Sequence, residues 1–294
     1  MSRYSTSGRP AVVFGMQIPL LTADILDSLL LARRAAVASI NCSLDLGRST
    51  TEVQIRADEW LWQQSKFPYP DRLNDRTVYF WNGESFDPIS RFGGALIKLV
   101  PTEWGAPTFE IDGIKMLPSS KISPFADAGH KVNLIKPRGK VILDCCAGLG
   151  YFAAWCKSGG AKQILSFEKN PDVLWIRALN PWSPAPDATL SLTLADITQA
   201  VLELPDQGID AVLHDPPRFG IAGELYSQAF YHQLARVLKP RGLLFHYTGS
   251  PNRVSSGRDL AAEVSQRLLV AGFETQRQGD GILACKRMRR TRRM

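Results

Sequence analysis

Cysteine and histidine are scarce in this sequence, and neither residue is spaced as disulfide frameworks or zinc sites require. The 294 residues include five cysteines and four histidines, and no two cysteines form a C-x-x-C pair. An odd number of cysteines without paired spacing argues against a disulfide scaffold and against structural zinc. Free thiols are typical of a reducing compartment, so we expect a cytoplasmic protein that binds no metal.

Long hydrophobic runs are also missing. The longest nearly uncharged stretch near the start, residues 11–23, contains Pro19. It is shorter than the ~20 apolar residues that a membrane-spanning helix needs. It also lacks the charged leader and the small-residue cleavage site of a signal peptide. We therefore expect no membrane partner.

The body of the chain has almost no excess of either charge. The net charge is +7, but residues 286–294 hold six basic residues and no acid, which leaves 29 basic against 28 acidic residues elsewhere. The basicity therefore belongs to a C-terminal tail, residues 287–294. Such a tail either attracts phosphate backbones without sequence preference or is a solubilising end with no partner.

The sequence does contain a large apolar fraction, and the pattern of its hydrophobic residues differs between two parts of the chain. Hydrophobic residues make up 45% of the chain and charged residues 21%, which is enough for a packed core. Up to about residue 135, a helical pattern from Thr22 to about residue 39 is followed by short strand-like runs at 42–46, 51–55, 77–81, 95–100 and 109–116. Asn82-Gly83 and Asp112-Gly113 are typical of tight hairpin turns. Residues 1–135 are thus predicted to be a small, mainly antiparallel module, with substrate recognition as its expected role.

Residues 136–286 have a different rhythm, in which apolar strands alternate with helices. Strands are predicted at 140–145, 163–168, 189–195, 209–214 and 242–247, with helices from Tyr151, from Pro171, after 196 and over about 222–238. This alternation predicts an α/β fold with a doubly wound, mostly parallel sheet covered on both faces. Such sheets bind ligands outside the carboxyl ends of their strands, so we expect the functional residues at those ends.

The first predicted strand runs into a glycine turn that opens a helix. Asp144 ends the strand, and Ala147, Gly148 and Gly150 follow it. Glycines allow a ligand to approach the backbone closely, and a helix N-terminus offers free amide groups. An acid beside the turn repels a diphosphate and attracts an ammonium group, so the turn suits the amino-acid end of a ligand.

Two further acids end the next two predicted strands. Glu168 lies about twenty residues after the glycines, where an acid accepts hydrogen bonds from ribose hydroxyls. Asp196 ends the third strand, where it can accept a hydrogen bond from an adenine amino group. Three acids at successive strand ends beside a glycine turn point to S-adenosyl-L-methionine as the cofactor.

Several motifs carry a resemblance to a known group of enzymes. The glycine turn, Glu168, Asp196 and Asp215-Pro216-Pro217, in that order, resemble the motifs of class I S-adenosylmethionine-dependent methyltransferases. More narrowly, the chain resembles a family of predicted methyltransferases of archaea and cyanobacteria, through segments 43–47, 107–116, 180–183, 214–219, 222–227 and 245–249. The resemblance covers about residues 40–285 and leaves out the tail. It implies a Rossmann-like methyltransferase domain and its cofactor, and does not define the methyl acceptor.

The fourth strand end carries the most specific local signal, Asp215-Pro216-Pro217-Arg218-Phe219. Two consecutive prolines fix φ and remove amide donors, so the carbonyls of Asp215 and Pro216 point outward beside the acid. In methyltransferases with an Asp-Pro-Pro-Tyr motif, this geometry accepts hydrogen bonds from an amino group. Here Arg218 takes the aromatic position, and a guanidinium can stack on a base or bind a carboxylate or phosphate. We expect Asp215, Pro216, Pro217 and Arg218 on the acceptor side, with Asp215 also near the cofactor.

A general base is needed only if the acceptor must lose a proton before transfer. Histidine is the commonest base, and His246 at the fifth strand end is the catalytic candidate, with Asp215, His214, Glu224 and Tyr247 as alternatives. His214 lies within an apolar strand, as a core histidine would.

Four functions follow from these residues. The first is methylation of RNA or another nucleic acid at nitrogen, and the second is methylation of a small metabolite or a protein side chain. Aminopropyl transfer and a non-catalytic cofactor-binding RNA module are the others. A nucleic-acid face on the N-terminal module could use basic and aromatic residues that would otherwise be core, namely Trp60, Trp62, Phe67, Tyr69, Arg72 and Arg76. The acceptor, the methylated atom and the oligomeric state stay open.

Overall fold

A computed structural model describes residues 18–218, 222–249 and 259–288 of the chain. The predicted residue Phe219 and residues 289–294 of the basic tail lie outside these ranges. None of the helices within them is long and apolar enough to cross a membrane.

The first part of the described chain forms three small antiparallel sheets. Its strands are β1 (Leu20–Leu21), β2 (Ser39–Cys42), β3 (Thr51–Ile55), β4 (Glu59–Trp62), β5 (Ser65–Pro68), β6 (Tyr79–Trp81), β7 (Phe86–Pro88), β8 (Ser90–Phe92), β9 (Leu96–Val100), β10 (Thr108–Ile111) and β11 (Ile114–Lys115). The sheet orders are β1-β6-β7, β2-β3-β4-β5 and β11-β10-β9-β8. Both predicted hairpin turns are present: Asn82-Gly83 joins β6 to β7, and Asp112-Gly113, with φ of 48° and 77°, joins β10 to β11.

The predicted first helix forms, but one predicted strand is displaced. Helix α1 (Ala23–Arg34) begins at its predicted N-cap, since the Thr22 hydroxyl accepts the Ile25 amide at 3.4 Å. The strand predicted at 42–46 is instead β2, which ends at Cys42. Residues 43–49 turn around Asp45, whose Oδ1 accepts the amides of Arg48 at 3.0 Å and Ser49 at 2.9 Å. A side chain that satisfies neighbouring amides favours a turn over a strand.

The second part forms a seven-stranded sheet with helices on both faces. Its strands are β12 (Val141–Asp144), β13 (Gln163–Glu168), β14 (Leu190–Leu194), β15 (Ile209–His214), β16 (Leu238–Tyr247), β17 (Phe273–Gln278) and β18 (Gly281–Lys286). Its helices are α2 (Pro124–Ile135), α3 (Tyr151–Ser158), α4 (Pro171–Leu179), α5 (Ile197–Glu203), α6 (Gln228–Val237) and α7 (Leu260–Val270). A 3-10 turn, Gly223–Tyr226, precedes α6, so the single helix predicted over 222–238 is divided.

The strand order is β14-β13-β12-β15-β16-β18-β17. The first five strands are parallel, and β18 is antiparallel to both of its neighbours. The mostly parallel sheet predicted from the sequence is confirmed. The order reverses between β12 and β15, and this switch point is where doubly wound sheets bind their ligands.

Helix α2 was not predicted, and it packs on the large sheet. It contacts α3 and lies over β15 and β16. Ser123 caps its start and Pro124 is its first residue, which is a favourable helix N-terminus. One hydrophobic core extends from the antiparallel sheets, at Ile97 and Phe109, through Val132 of α2 to Ile142 of β12. The sheet that contains β9 and β10 therefore shares one core with α2 and the large sheet, whereas β2–β5 have a core of their own.

Candidate functional site

The glycine turn between β12 and α3 is tied to the neighbouring strand. Gly148 and Gly150 have φ of 47° and 79°, which favour glycine. The Ala147 amide donates to the Phe167 carbonyl at 2.8 Å, and the Gly148 amide donates to Glu168 Oε2 at 3.0 Å. The turn and the end of β13 are thus held as one unit.

Glu168 uses each carboxylate oxygen once. Oε2 accepts the Gly148 amide, and Oε1 accepts the Asn170 amide at 3.0 Å. Burial raises the pKa of Glu168, while these amide hydrogen bonds limit the rise. A carboxylate oxygen can accept more than one hydrogen bond, so both oxygens keep capacity for hydroxyl donors such as those of a ribose.

Asp144 lies behind the turn with one oxygen unused. Its side chain is buried, Oδ2 accepts the Ser166 hydroxyl at 2.9 Å, and Oδ1 has no hydrogen-bond partner among the described residues. Burial raises the pKa of Asp144 to about 6, against the Ser166 hydrogen bond and the positive charge of Arg177. An unpartnered buried acceptor is costly unless a donor or an opposite charge compensates it, and Arg177 supplies such a charge.

Arg177 on α4 was not among the predicted site residues. Its guanidinium is fully buried, and none of its three nitrogens has a hydrogen-bond partner in the described part of the chain. Burial lowers its pKa, and the negative charges of Asp144 and Glu168 oppose that change. The signal for it in the sequence is its position: Val173, Ile176 and Arg177 share the buried face of the helix.

Asp196 has a structural role at the start of α5, in addition to its predicted place at a strand end. It is the N-cap of α5, and its Oδ1 accepts the amide and the hydroxyl of Thr198 at 2.8 and 2.7 Å. The structure places it beside the end of β13, since the Ala195 amide donates to the Glu168 carbonyl at 2.9 Å. Oδ2 of Asp196 accepts no hydrogen bond from the described residues, so one oxygen is open to a ligand.

The Asp-Pro-Pro turn follows β15 at the switch point, as predicted. Asp215 is 17% exposed, and its Oδ2 accepts a hydrogen bond from Lys131 Nζ of α2 at 3.0 Å. Burial raises the pKa of Asp215, and Lys131 counteracts this. Lys131 also contacts Asp127 Oδ2 at 2.8 Å, and these two carboxylates outweigh burial and raise the pKa of the ammonium group.

The rest of the turn is supported by the segment that follows it. The Tyr226 hydroxyl donates to the Pro217 carbonyl at 3.0 Å, while Pro216 is buried and Arg218 is exposed. Arg218 is therefore accessible from solvent next to the turn, whereas Pro216 is packed beneath it.

Both candidate histidines are buried side by side. The rings of His214 and His246 are 4.4 Å apart, and His214 Nε2 donates to the Leu225 carbonyl at 3.0 Å. His246 Nδ1 donates to the Tyr247 carbonyl at 2.8 Å, which leaves Nε2 to accept the Tyr231 hydroxyl at 2.9 Å. Burial lowers the pKa of His214 to about 4 and that of His246 well below its usual value. Both rings are therefore neutral, and both nitrogens of His246 are engaged.

Segments of the antiparallel part of the chain are hydrogen-bonded to residues around α3 and after α4. Trp182 Nε1 donates to the Leu46 carbonyl at 3.0 Å, and Arg48 donates to the Pro181 carbonyl. Near the glycine turn, the Tyr151 hydroxyl donates to the Pro107 carbonyl at 2.7 Å. The Pro107 contact places the start of β10 beside the turn, and a Cβ on Gly148 would lie 3.7 Å from the ring of Phe109.

The six residues considered for a nucleic-acid face are divided between core and surface, and both arginines, Arg72 and Arg76, are exposed. Trp60 and Phe67 are buried and stacked with ring centroids 4.6 Å apart, and Trp62 and Tyr69 are half-buried. Arg76 is exposed, but it pairs with the buried carboxylate of Glu110. No group of three or more His, Cys, Asp or Glu side chains within residues 18–218, 222–249 and 259–288 is arranged to hold a metal.

Comparison with known proteins gives a family and a fold. The model of a family described as S-adenosyl-L-methionine-dependent methyltransferase matches residues 180–281. The uncharacterized protein MJ1233 of Methanocaldococcus jannaschii is 36% identical over an alignment of 259 residues, which covers 83% of this chain and 88% of that protein.

Two solved structures are similar at the level of the fold. A spermidine synthase in complex with the transition-state analogue AdoDATO matches with a TM-score of 0.54, and the spermidine synthase of Thermotoga maritima matches with a TM-score of 0.53. Each is 16% identical, and each match covers 67% of this chain and 72% of the other. At this identity the similarity shows the fold alone.

Proposed function

Because the chain belongs to the family of S-adenosyl-L-methionine-dependent methyltransferases, we propose that it methylates a nitrogen atom of RNA or another nucleic acid. The enzyme class and the cofactor follow from the family. The acceptor is our inference, and the observation that carries it is the Asp215-Pro216-Pro217 turn at the switch point of the sheet, where the carboxylate and carbonyls can receive an N–H group.

The cofactor site proposed here lies along three strand ends. Asp144 holds the ammonium group of the methionine part, and the backbone of Ala147, Gly148 and Gly150 lies against it. Glu168 accepts the ribose hydroxyls. Two observations support this assignment of the cofactor site. Asp144 Oδ1 has no hydrogen-bond partner among the described residues, and the glycine turn is already fixed by its hydrogen bond to Glu168.

Asp196 completes the cofactor site at the adenine end. Its Oδ2, which the cap does not use, accepts the adenine amino group in this assignment. Its hydrogen bonds to Thr198 fix the carboxylate at the start of α5, so the remaining oxygen keeps one direction.

When bound, S-adenosyl-L-methionine supplies an electrophilic methyl group on a sulfonium. The task of the protein is therefore mainly to align the acceptor and to exclude water. Asp215 orients the acceptor N–H through its free oxygen, and Pro216 and Pro217 keep the turn rigid. Arg218 contacts the acceptor from the exposed side, where its guanidinium stacks on a base of the acceptor or binds one of its phosphates.

This assignment needs no strong general base. His246 is the predicted base, but both of its ring nitrogens are hydrogen-bonded, to the Tyr231 hydroxyl and to the Tyr247 carbonyl at the end of β16. These bonds support a structural role for His246. An amine nitrogen can attack before it loses its proton, and the methylated ammonium then releases that proton to the Asp215 carboxylate or to water. Hydrogen bonding by Asp215 is therefore sufficient to orient the acceptor in this proposal.

We assign acceptor recognition to the N-terminal module, residues 1–135, and cofactor binding to residues 136–286. The hydrogen bonds between the antiparallel part of the chain and the region of the glycine turn support this division, because they place the module beside the site. Helix α2 lies in the first range but packs on β15 and β16, so the module contributes directly to the acceptor side.

A second candidate acceptor is an amine on a small metabolite or a protein side chain. Asp127, Asp215 and the ring of Tyr247 already surround one ammonium group, that of Lys131, so the local chemistry suits amines. The burial of Trp60 and Phe67, which removes two residues from the proposed nucleic-acid face, also favours it. The family favours methyl transfer over aminopropyl transfer.

The test is to incubate the protein with methyl-labelled S-adenosyl-L-methionine and fractionated cell extract. Label in RNA that ribonuclease releases supports the first candidate, and label in small molecules or protein supports the second. The Asp215→Ala variant should lose the label, whereas Glu203→Ala, which changes an exposed residue at the end of α5, should keep it. Absence of label from every fraction would contradict the proposed function.

A further inference from the structure

Lys131 connects three separate elements on the acceptor side. It lies on α2 with a side chain only 8% exposed, and its Nζ contacts Asp127 Oδ2 of the same helix and Asp215 Oδ2 of the turn after β15. The same Nζ lies 4.0 Å from the ring centroid of Tyr247, at the end of β16. A single ammonium group therefore binds the helix, the turn and the strand.

The contact leaves Asp215 in a particular orientation. Lys131 occupies Oδ2, while Oδ1 accepts no hydrogen bond from the described residues, and the side chain keeps 17% of its exposure. The carboxylate is thus held at one oxygen and open at the other. An acceptor N–H group would meet Oδ1 in a direction that Lys131 has set.

We infer that Lys131 is a positioning residue of the acceptor site, whose ammonium group orients the Asp215 carboxylate and the Tyr247 ring. This inference rests on the proposed function, because it assigns Asp215 to the acceptor. Lys131 acts through Asp215 and does not itself receive the methyl group, since two carboxylates keep its nitrogen protonated.

The charged groups around Asp215 determine in which direction its pKa should change when Lys131 is replaced. Lys131 and Asp127 face it from α2, Asp144 and Cys146 from the end of β12, Tyr226 from the 3-10 turn and Tyr247 from β16. Of these, only Lys131 favours the ionised carboxylate. Without it, burial and Asp127 should raise the pKa of Asp215, and the acid would be protonated at a higher pH.

The experiment compares Lys131→Met and Lys131→Arg with wild type. We measure S-adenosyl-L-methionine affinity by calorimetry, the Asp215 carboxyl titration by carbon-13 NMR with assignment by Asp215→Asn, and methyl transfer against pH with the labelled extract fraction. Lys157→Met is the matched control, because Lys157 pairs with Asp187 on the surface.

For Lys131→Met we expect cofactor affinity within about threefold of wild type and methyl transfer reduced about tenfold or more at neutral pH. The Asp215 titration and the acidic limb of the pH profile should both move to higher pH. Lys131→Arg should restore both toward wild type, and Lys157→Met should change neither.

An unmoved Asp215 titration in Lys131→Met would overturn the inference, as would a loss of cofactor affinity equal to the loss of transfer. If Lys131→Met does not fold, the double variant Lys131→Met with Asp127→Asn is measured in its place. It loses one positive and one negative charge, so the net charge of the buried cluster is unchanged. Failure of both variants to fold would assign Lys131 to stability alone and also overturn the inference. A moved titration in a protein that labels no fraction would instead contradict the proposed function.

Discussion

A Cβ atom on Gly150 would lie 2.5 Å from Cζ of Arg177, so the last glycine of the turn and the buried guanidinium of α4 occupy adjoining space. Gly150 is also in the left-handed region, with φ of 79°. Two independent reasons therefore require glycine here. The arginine that imposes one of them is the same group that offsets the charges of Asp144 and Glu168.

The first prediction is that Gly150→Ala destabilises the protein by more than backbone strain alone. Backbone strain for a non-glycine residue at positive φ costs roughly 1–2 kcal/mol. The clash with Arg177 adds to it. Gly160→Ala is the control, because φ there is 76° but the added Cβ meets nothing closer than Arg138 Cγ at 3.8 Å. Urea denaturation measures both, and equal losses would contradict the account.

The second prediction concerns the ribose acid. Glu168→Ala should weaken S-adenosyl-L-methionine binding by ~1–3 kcal/mol, since ribose hydroxyls would lose their acceptor. The amides of Gly148 and Asn170 would also lose their partner, so the turn should loosen. Calorimetry measures the affinity, with Glu203→Ala as the exposed control. An unchanged affinity would remove Glu168 from the cofactor site.

The strand ends could be predicted because hydrophobic periodicity and glycine spacing mark them directly. The bounds of β13 and β15 agree with the prediction to the residue, since each strand has a mainly apolar centre and ends next to polar or charged residues. Asp196 shows the limit of this reasoning. The same residue type at a strand end also caps a helix, and the structure shows that the cap uses Oδ1 of this carboxylate.

Lys131 and Arg177 could not be predicted in the same way. Asp127 and Lys131 are four residues apart, a spacing that on most helices indicates an exposed ion pair. In α2 the pair faces the sheet, because Ala128, Val132 and Ile135 bury that side of the helix. The partner that gives Lys131 its importance, Asp215, is far away in sequence and meets it only through the packing of α2 on β15.

The third prediction uses the pKa of Asp144, which burial raises to about 6. Between the unfolded value of 3.8 and about 6, the folded protein keeps a proton that the unfolded chain has lost, so this contribution to stability falls as pH rises. Asp144→Asn removes the effect. Relative to wild type, the variant should therefore gain about 2–3 kcal/mol between pH 4 and 7. Urea denaturation of both proteins at the two pH values tests this, and a constant difference would contradict it.

The fourth prediction separates acceptor contacts from cofactor contacts. Asp215→Ala should keep cofactor affinity while methyl transfer falls about tenfold or more, which corresponds to roughly 1.4 kcal/mol of transition-state stabilisation. The reason is that Oδ2 binds Lys131 and Oδ1 is open. Calorimetry and the labelled-fraction assay measure the two effects. A loss of cofactor binding that accounts for all the lost transfer would place Asp215 on the cofactor instead.

The last prediction concerns the basic tail and the choice between acceptors. Lys286 donates to the Leu238 carbonyl and Arg287 lies 4.0 Å from Glu274, so both cations are already engaged by the sheet. That leaves Arg289, Arg290, Arg292 and Arg293 to attract phosphates. With about −0.7 per contact on single-stranded nucleic acid, the four should contribute roughly −3 to the slope of log affinity against log salt.

Deletion of residues 288–294 should therefore flatten the salt dependence of RNA binding by about that slope while melting temperature and cofactor affinity stay nearly unchanged, because the described sheet ends with β18 at Lys286. Replacing the four arginines by glutamine is the matched control, since it removes the charge and keeps the length. Filter binding over a range of salt concentrations measures the slope. An unchanged slope in both variants would make the tail a solubilising end and would favour an amine on a small molecule or protein as the acceptor.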